Sequence, residues 1–323
     1  AEIAVEYSGT KNKISLKFSD IADIIRESAH QAILSGMKTV NRKSVETANE
    51  FRKMRNNLID EKLKEHILTN DVMIDTDGQK VGIINALTVY NNSIYSFGKP
   101  TRITANVNVG SQGIINIERE ADMSGKIHNK GVFIISGFLR ERFAVRRTLS
   151  LSASIAFEQN YGGIDGDSAS AAEIYVILSA LTKLPINQSV AITGSMNQKG
   201  DIQPIGGVNE KITGFYEICR ERGFNGQQGC IIPNQNVKDL MLGKEIIEDV
   251  KKGNFRIWGI STIEEGVNIL FGIEAGTEDE NGKYPEDSLF GIADKRIDEF
   301  SKILKPQSKK SNIKNKKDSE NEA

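Results

Sequence analysis

The stretch "DGDSASAAEIYVILSAL", Asp165 to Leu181, sets Ser168, Ala169 and Ser170 between an acidic turn and an apolar helical run. Ser and Asp are favoured there as caps, because their oxygens accept hydrogen bonds from the free N–H groups of a first helical turn. The same position suits a nucleophile, since N–H groups at a helix start can hold a developing oxyanion. A second stretch, "GDIQPIGGVNEKITGFYEICRERG", places Gly206 and Gly207 ahead of Asn209, a good cap, and predicts a helix from about Glu210. Lys211 then falls in the first turn, where its positive charge meets the positive end of the helix dipole. That is a poor place for a lysine chosen for helix stability, and a good one for a lysine that must lose its proton. Lowering an amine from about 10.4 to about 7 or 8 takes burial as well as unfavourable potential.

Taken singly, each residue has a plain structural reading: Ser168 as a cap, Lys211 as an exposed helix lysine. Together they form a Ser–Lys pair, in which a neutral amine activates a hydroxyl without imidazole. The chain holds only three histidines, His30, His66 and His128, so a pair that needs none fits the composition. His30 and His66 lie on helical stretches as packing or surface residues. His128, in "SGKIHNKG", reads as a turn residue bonding backbone. A Ser–His hydrolase built on it lacks a G-x-S-x-G elbow.

The elements that must position the pair follow from periodicity. "FSDIADIIRESAHQAILSG" predicts an amphipathic helix with Phe18, Ile21, Ile24, Ile25, Ala29, Ala32 and Ile33 on its apolar stripe. "NRKSVETANEFRKMRNNLIDEKLKEHILTN" predicts one long charged helix. From about Val72 the texture changes to β-branched runs bounded by Gly, Asn and Pro: "KVGIINALTVY", "TRITANVNV", "GIINIERE", "LSLSASIAFEQ", "SVAITGSM", "GCIIP" and "FRIWGIS". "GVFIISGFLRERFA", among them, is an apolar run passing into a basic one. Strands alternating with helices give an α/β or α+β class. Past Ile273 come an acidic linker, an amphipathic segment, "LFGIADKRIDEFSKILK", and a Lys- and Asn-rich tail expected to be disordered.

Composition removes several function classes. A net charge of −1 over 323 residues gives no overall pull toward nucleic acid or membrane, leaving the Lys-rich tail as the only support for a nucleic-acid partner. No apolar run nears the roughly 18 residues of a membrane span, and no leader is visible. Cys219 and Cys230, without nearby His, read as structural residues of a reducing cytosol rather than a zinc site. Neither "GSMNQKGD" nor "GGVNEKIT" has the spacing of a phosphate-binding loop, so no cofactor site is expected here.

"DGDSAS" followed 43 residues on by the Lys of "PIGGVNEK", with "AITGS" between, resembles the peptidase domain of the Lon protease family. The strings "FEQNYGGIDGDSASAAE", "SFGKPTRITA", "INIEREADMSGKIHNKG" and "ITGSMNQKGDIQPIGGVNEKI" are more similar to its B-type and C-type branch than to the bacterial A-type. The resemblance runs from about residue 15 to 272. It implies Ser168 as nucleophile, Lys211 as general base, and Thr193 as the hydroxyl that orients the amine, where a plain strand-end residue would look the same. It places Asp165 at an acidic position that can approach the lysine and hold a resting state, and it makes the backbone N–H groups of Asp167, Ser168 and Ala169 oxyanion-hole candidates.

The implied fold is a peptidase core resembling ribosomal protein S5 domain 2 over residues 72–272. An all-α AAA+ lid over 1–71 precedes it, and residues 273–323 form the linker, helix and tail. The implied partners are polypeptide substrates and five further copies in a six-membered cytoplasmic ring, with ATP and Mg²⁺ confined to a preceding motor module. One departure touches that coupling: where an arginine often approaches nucleotide near the first lid helix, Lys17 and Phe18 stand. A non-catalytic chaperone-like or nucleic-acid-binding module with a vestigial pair is the competing reading.

Overall fold

In the computed structural model the described residues are 2–91, 95–145 and 147–304. Four helices come first: α1 (Glu2–Glu6), α2 (Phe18–Leu34), α3 (Arg42–Asn56) and α4 (Leu58–Leu68). The strands are β1 (Gln79–Lys80), β2 (Ile83–Asn91), β3 (Ser96–Val109), β4 (Gly113–Asn116), β5 (Leu151–Phe157), β6 (Ile186–Asn187), β7 (Val190–Ile192), β8 (Ser195–Met196), β9 (Ile202–Gln203), β10 (Gly229–Pro233) and β11 (Arg256–Ile260). Between and after them lie α5 (Ile117–Glu120), α6 (Lys126–Phe143), α7 (Ser170–Thr182), α8 (Val208–Arg222), α9 (Lys244–Lys252), α10 (Ile263–Phe271) and α11 (Leu289–Leu304).

Seven strands form one mixed sheet in the order β11-β10-β7-β2-β3-β5-β4. Its half with β11, β10, β7 and β2 is parallel, and β3 pairs antiparallel with both β2 and β5. Successive side chains of a strand point to opposite faces, so each strand feeds two cores. Val190 and Ile192 enter the core beneath α7, whereas Ala191 between them enters the one beneath α8. Ile231 likewise faces α7, with Cys230 and Ile232 on the α8 side. Cys219 and Cys230 are buried free thiols within this second core.

Helix α7 is buried along nearly its whole length, from Ser170 to Leu181, which explains a sequence that is apolar all round. Helix α11 completes the same core: Leu289, Phe290, Ile297 and Phe300 pack inward, and Phe290 meets Phe143 of α6 edge-on. The Lys-rich tail expected to be disordered begins where the described residues end, so it lies outside them.

Three local expectations are corrected. The long charged helix breaks at Asn57, whose φ of −95° and ψ of 9° interrupt the helical path between α3 and α4. The apolar run "GVFIISGFLRERFA" belongs to helix α6, where His128 is the third residue and buried, not in a turn. The stripe of α2 is buried only at Ile24 and Ala32 among the apolar residues; Phe18, Ile25 and Ile33 are exposed, because α3 covers a strip one or two side chains wide. Helix α4 docks on the body instead, through Ile67, Ile74 and Ile218.

Candidate active site

Ser168 lies outside α7, which begins at Ser170. Ala169 is the residue before the helix and makes no side-chain cap; Ser170, the first helical residue, ties the turn to its neighbours instead, its Oγ donating to the Asp167 carbonyl at 2.8 Å and accepting from Met196 N–H of β8 at 3.1 Å. Ser168 is not used as a cap, and its Oγ stands 2.9 Å from Lys211 Nζ. The backbone of this turn is laced to the end of β7: Gly194 N–H donates to the Ser168 carbonyl at 2.8 Å, and Ala171 N–H to the Gly194 carbonyl at 3.1 Å. Crevices at the carboxyl ends of parallel strands are where such sheets place their chemistry, and Thr193 directly follows β7.

Lys211 arrives from the other face of the sheet. Helix α8 starts at Val208, two residues earlier than expected, with Gly207 before it at a φ of 68°. That left-handed conformation suits glycine, and a Cβ there would also strike Val89 Cγ2 at 2.6 Å. Asn209 does not cap the helix; its Oδ1 accepts from Met241 N–H at 2.7 Å. Lys211 is therefore the fourth helical residue, and its N–H already donates to the Gly207 carbonyl at 3.0 Å.

Lys211 is 3% exposed and Thr193 beside it 1%. Lys211 Nζ lies 3.0 Å from Thr193 Oγ1, and that hydroxyl donates to the Ser168 carbonyl at 3.2 Å. Burial drives the amine down to about 8, opposed by the negative charges of Asp167 and Glu210. Desolvation is the larger effect because a charged amine loses its water here and gains no close carboxylate partner among the described residues. Asp167 spends one oxygen elsewhere, accepting from Ser195 Oγ at 2.9 Å.

Asp165, at a position that the resemblance lets approach the lysine and that a plain turn residue could equally fill, is engaged at the start of α6. Its Oδ1 accepts from the backbone N–H groups of Ile127 and His128 at 3.1 and 3.2 Å, closing the first turn of α6 from another part of the chain. Those bonds, with one from Gly166 N–H, hold its carboxyl below the usual range. Gly125 makes the approach feasible, since a Cβ there would overlap the Asp165 carboxylate. Asp165→Ala should accordingly cost about 1 kcal/mol of stability, the usual loss when a helix start is uncapped. Urea unfolding at neutral pH measures it, and the difference should shrink as acid protonates Asp165 in the parent chain.

The carboxylates acting on Lys211 are thus Asp167, which the sequence offered only for its backbone N–H, and Glu210. The adjacency of Asp167 to Ser168 in "GDS" was the available signal. Among the described residues the N–H groups of Asp167, Ser168 and Ala169 donate to no protein acceptor. A hollow of 510 Å³ opens beside the same loop, lined by Met123, Tyr161, Ile164 and Asp165 among others. A cleft of 1720 Å³ lies between the N-terminal helices and the start of α8 and does not include Ser168 or Lys211. Among the described residues no helix is long and apolar enough to cross a membrane, and no group of three or more His, Cys, Asp or Glu could hold a metal ion.

Residues 160–272 match the Lon protease (S16) C-terminal proteolytic domain, and residues 1–55 the AAA+ ATPase lid domain of archaeal LonB. A putative Lon protease homolog of Escherichia coli (strain K12) is 37% identical over 272 residues, 84% of this chain and 46% of the relative. A putative Lon protease homolog of Haemophilus influenzae is 42% identical over 236 residues, covering 72% of this chain and 39% of the relative. An archaeal Lon protease of Thermococcus kodakarensis is 28% identical over 269 residues, covering 82% and 39%. The chain spans about half the length of these curated relatives, or less. The matched proteolytic domain holds both Ser168 and Lys211, the lid domain precedes it, and the chain belongs to the Lon protease family.

Proposed function

We propose that this chain is a serine endopeptidase unit that cuts flexible polypeptide with a Ser168–Lys211 dyad. Neutral Lys211 takes the Ser168 proton as Oγ attacks the scissile carbonyl carbon. The carbonyl oxygen becomes an oxyanion facing the undonated N–H groups of Asp167, Ser168 and Ala169. The C–N bond then breaks, the Lys211 ammonium giving its proton to the leaving amine. Water, activated by the same amine, hydrolyses the acyl-Ser168 ester and restores both groups. Thr193 keeps Nζ aimed at Oγ throughout, and Asp167 steadies the ammonium while it exists.

The observation that carries this reading is a buried amine 2.9 Å from the Ser168 hydroxyl and lowered to about 8. The lid match supports assigning residues 1–71 to a motor module, with ATP and Mg²⁺ placed by the family resemblance on its nucleotide-binding part rather than on the peptidase unit. Residues 72–272 form the peptidase unit in this reading, with α11 packed onto it. A cytoplasmic six-membered ring enclosing the dyads follows from the family resemblance and would restrict substrates to unfolded chains. Purified protein should cleave an unstructured fluorogenic peptide without nucleotide, with a rate that rises tenfold per pH unit below about 8 and levels off above it. The sign follows from the base: only the deprotonated amine can accept from Ser168. A folded chain that cleaves no such peptide, or a rate that falls across that range, would overturn the assignment.

A further inference from the structure

Four consecutive residues after β7 hold the turn that carries Ser168. Thr193 Oγ1 and Gly194 N–H both donate to the Ser168 carbonyl, at 3.2 and 2.8 Å. Ser195 Oγ donates to Asp167 Oδ2 at 2.9 Å, and Met196 N–H to Ser170 Oγ at 3.1 Å. The donors of Gly194 and Met196 are backbone groups, which any side chain would leave in place. Of the two side chains, Thr193 also meets the Lys211 amine, at 3.0 Å. Ser195 makes no such contact among the described residues and spends its proton on the carboxylate beside the nucleophile.

Ser195 is 3% exposed and sits on the β8–β9 ribbon opposite Gln203. A hydroxyl has one proton. It goes to the carboxylate at 2.9 Å rather than to Gln203 Oε1 at 3.3 Å, because a charged acceptor makes the shorter and stronger bond. Asp167 has no other side-chain hydrogen bond among the described residues. The Lys211 amine, for its part, bonds the hydroxyls of Ser168 and Thr193 and no carboxylate among those residues. Yet one carboxylate belongs to the residue preceding Ser168, and the amine is bonded to Ser168 Oγ. Left to themselves, such opposite charges would pair. A closed ion pair would keep the proton on Lys211 and draw Nζ away from Oγ.

We propose that Ser195 is a positioning residue for the peptidase: by holding the Asp167 carboxylate toward β8, it keeps that carboxylate from pairing with Lys211 and leaves the amine to Ser168. The other charged groups around the pair are committed elsewhere. Asp165 is bound at the start of α6, Asp201 by Asn197 Nδ2, and Glu173 of α7 faces His128. What α6 presents to Asp167 is Gly131, and what β3 presents to Lys211 is Gly98, neither with a charge. Glu210, the neighbour of Lys211 on α8, acts on the amine with or without Ser195. The kinetic consequence rests on the Ser168–Lys211 reading; the placing of Asp167 does not.

Ser195→Ala should lower the cleavage rate about tenfold at pH 7 and leave it near that of the parent at pH 10, because the rise of the pH–rate profile moves up by about one pH unit. The sign follows from the pairing: an amine beside a released carboxylate keeps its proton to higher pH. Ser195→Cys, close in volume but a weaker donor, should fall between the two. In an Asp167→Asn background the same Ser195→Ala change should move the profile no further, since no carboxylate remains to be released. NMR of isotope-labelled lysine, with the Lys211 signal identified by its loss in Lys211→Arg, follows the same titration without turnover. A Ser195→Ala rate lowered equally at pH 7 and pH 10, an unmoved titration, or an equal shift in the Asp167→Asn background would overturn the proposal. Should the parent cleave nothing, the peptidase reading fails, while the NMR titration still decides whether Ser195 holds Asp167 off the amine.

Discussion

Lys211→Met should abolish peptide cleavage and raise the melting temperature in the same molecule. The rate loss is expected on the order of 10⁴-fold or more, because Lys211 is the one hydrogen-bond partner of Ser168 Oγ among the described residues and members of such a unit fail together. The stability gain comes from linkage. The folded protein depresses the amine from its ordinary value of about 10.4 to about 8, and each unit corresponds to about 1.4 kcal/mol. Below about pH 8 both folded and unfolded chains carry the proton, and the folded one bears the whole cost of a buried charge. As pH rises from about 8 to about 10.4 the folded amine is neutral while the unfolded one is not, so the cost fades.

Methionine fills the same channel without that charge. It forfeits hydrogen bonds to Ser168 and Thr193, worth about 1 kcal/mol each, so a net gain of about 1 kcal/mol remains near neutral pH. For a chain of this size that is roughly 2 °C. Thermal melts at pH 7 and at pH 10 check the sign: the advantage should be present at the first and gone at the second. Lys211→Arg should be equally inactive without the gain, since guanidinium keeps its charge. A Met variant that retained a tenth of the parent rate would remove Lys211 from the mechanism.

What could be read from the sequence divides along a physical line. Ser168 and Lys211 were legible because each sits at a helix start marked by local chemistry, and because the chain has so few histidines. Thr193 was legible only as one of two readings, since a β-branched residue ending a strand looks the same whether or not an amine approaches it. The strands were legible from alternation, and the two-faced burial of "SVAI" and "GCII" is that alternation seen from both sides of the sheet. The contacts of Asp165 were not legible because its partners, the N–H groups at the start of α6, lie 37 and 38 residues away and have no sequence signature. The α2 stripe misled for a related reason: periodicity reports which residues share a face, while the width of the covering neighbour decides which of them are buried. His128 combined both failures, a buried helical residue whose surroundings depend on Asn116 and Glu173 arriving from two other segments.

Gly98→Ala should cost cleavage on the order of 100-fold without touching a single reacting atom. The reason is the contact between β3 and α8. A Cβ at Gly98 would lie 2.5 Å from Lys211 Cα and closer still to the Glu210 carbonyl, and the opposing Gly214 is pressed against the Gly98 carbonyl in return. Two glycines facing each other let helix and strand meet backbone to backbone, and this brings the amine across the sheet edge to Ser168. These are backbone atoms, so no rotamer change relieves the overlap; the helix must move away by about an ångström, at about 1–3 kcal/mol of strain. A displacement of that size is enough to lose about 100-fold in rate when one reacting partner is carried by the helix. The expected pattern is a fall in kcat with a cooperative fold retained, and an amine that gains water and titrates above about 8, shifting the rise of the pH–rate profile upward. Gly206, by contrast, has open space around its position, so Gly206→Ala should leave both rate and profile near those of the parent. Equal behaviour of the two alanines would mean that the tight β3–α8 contact does not set the place of Lys211.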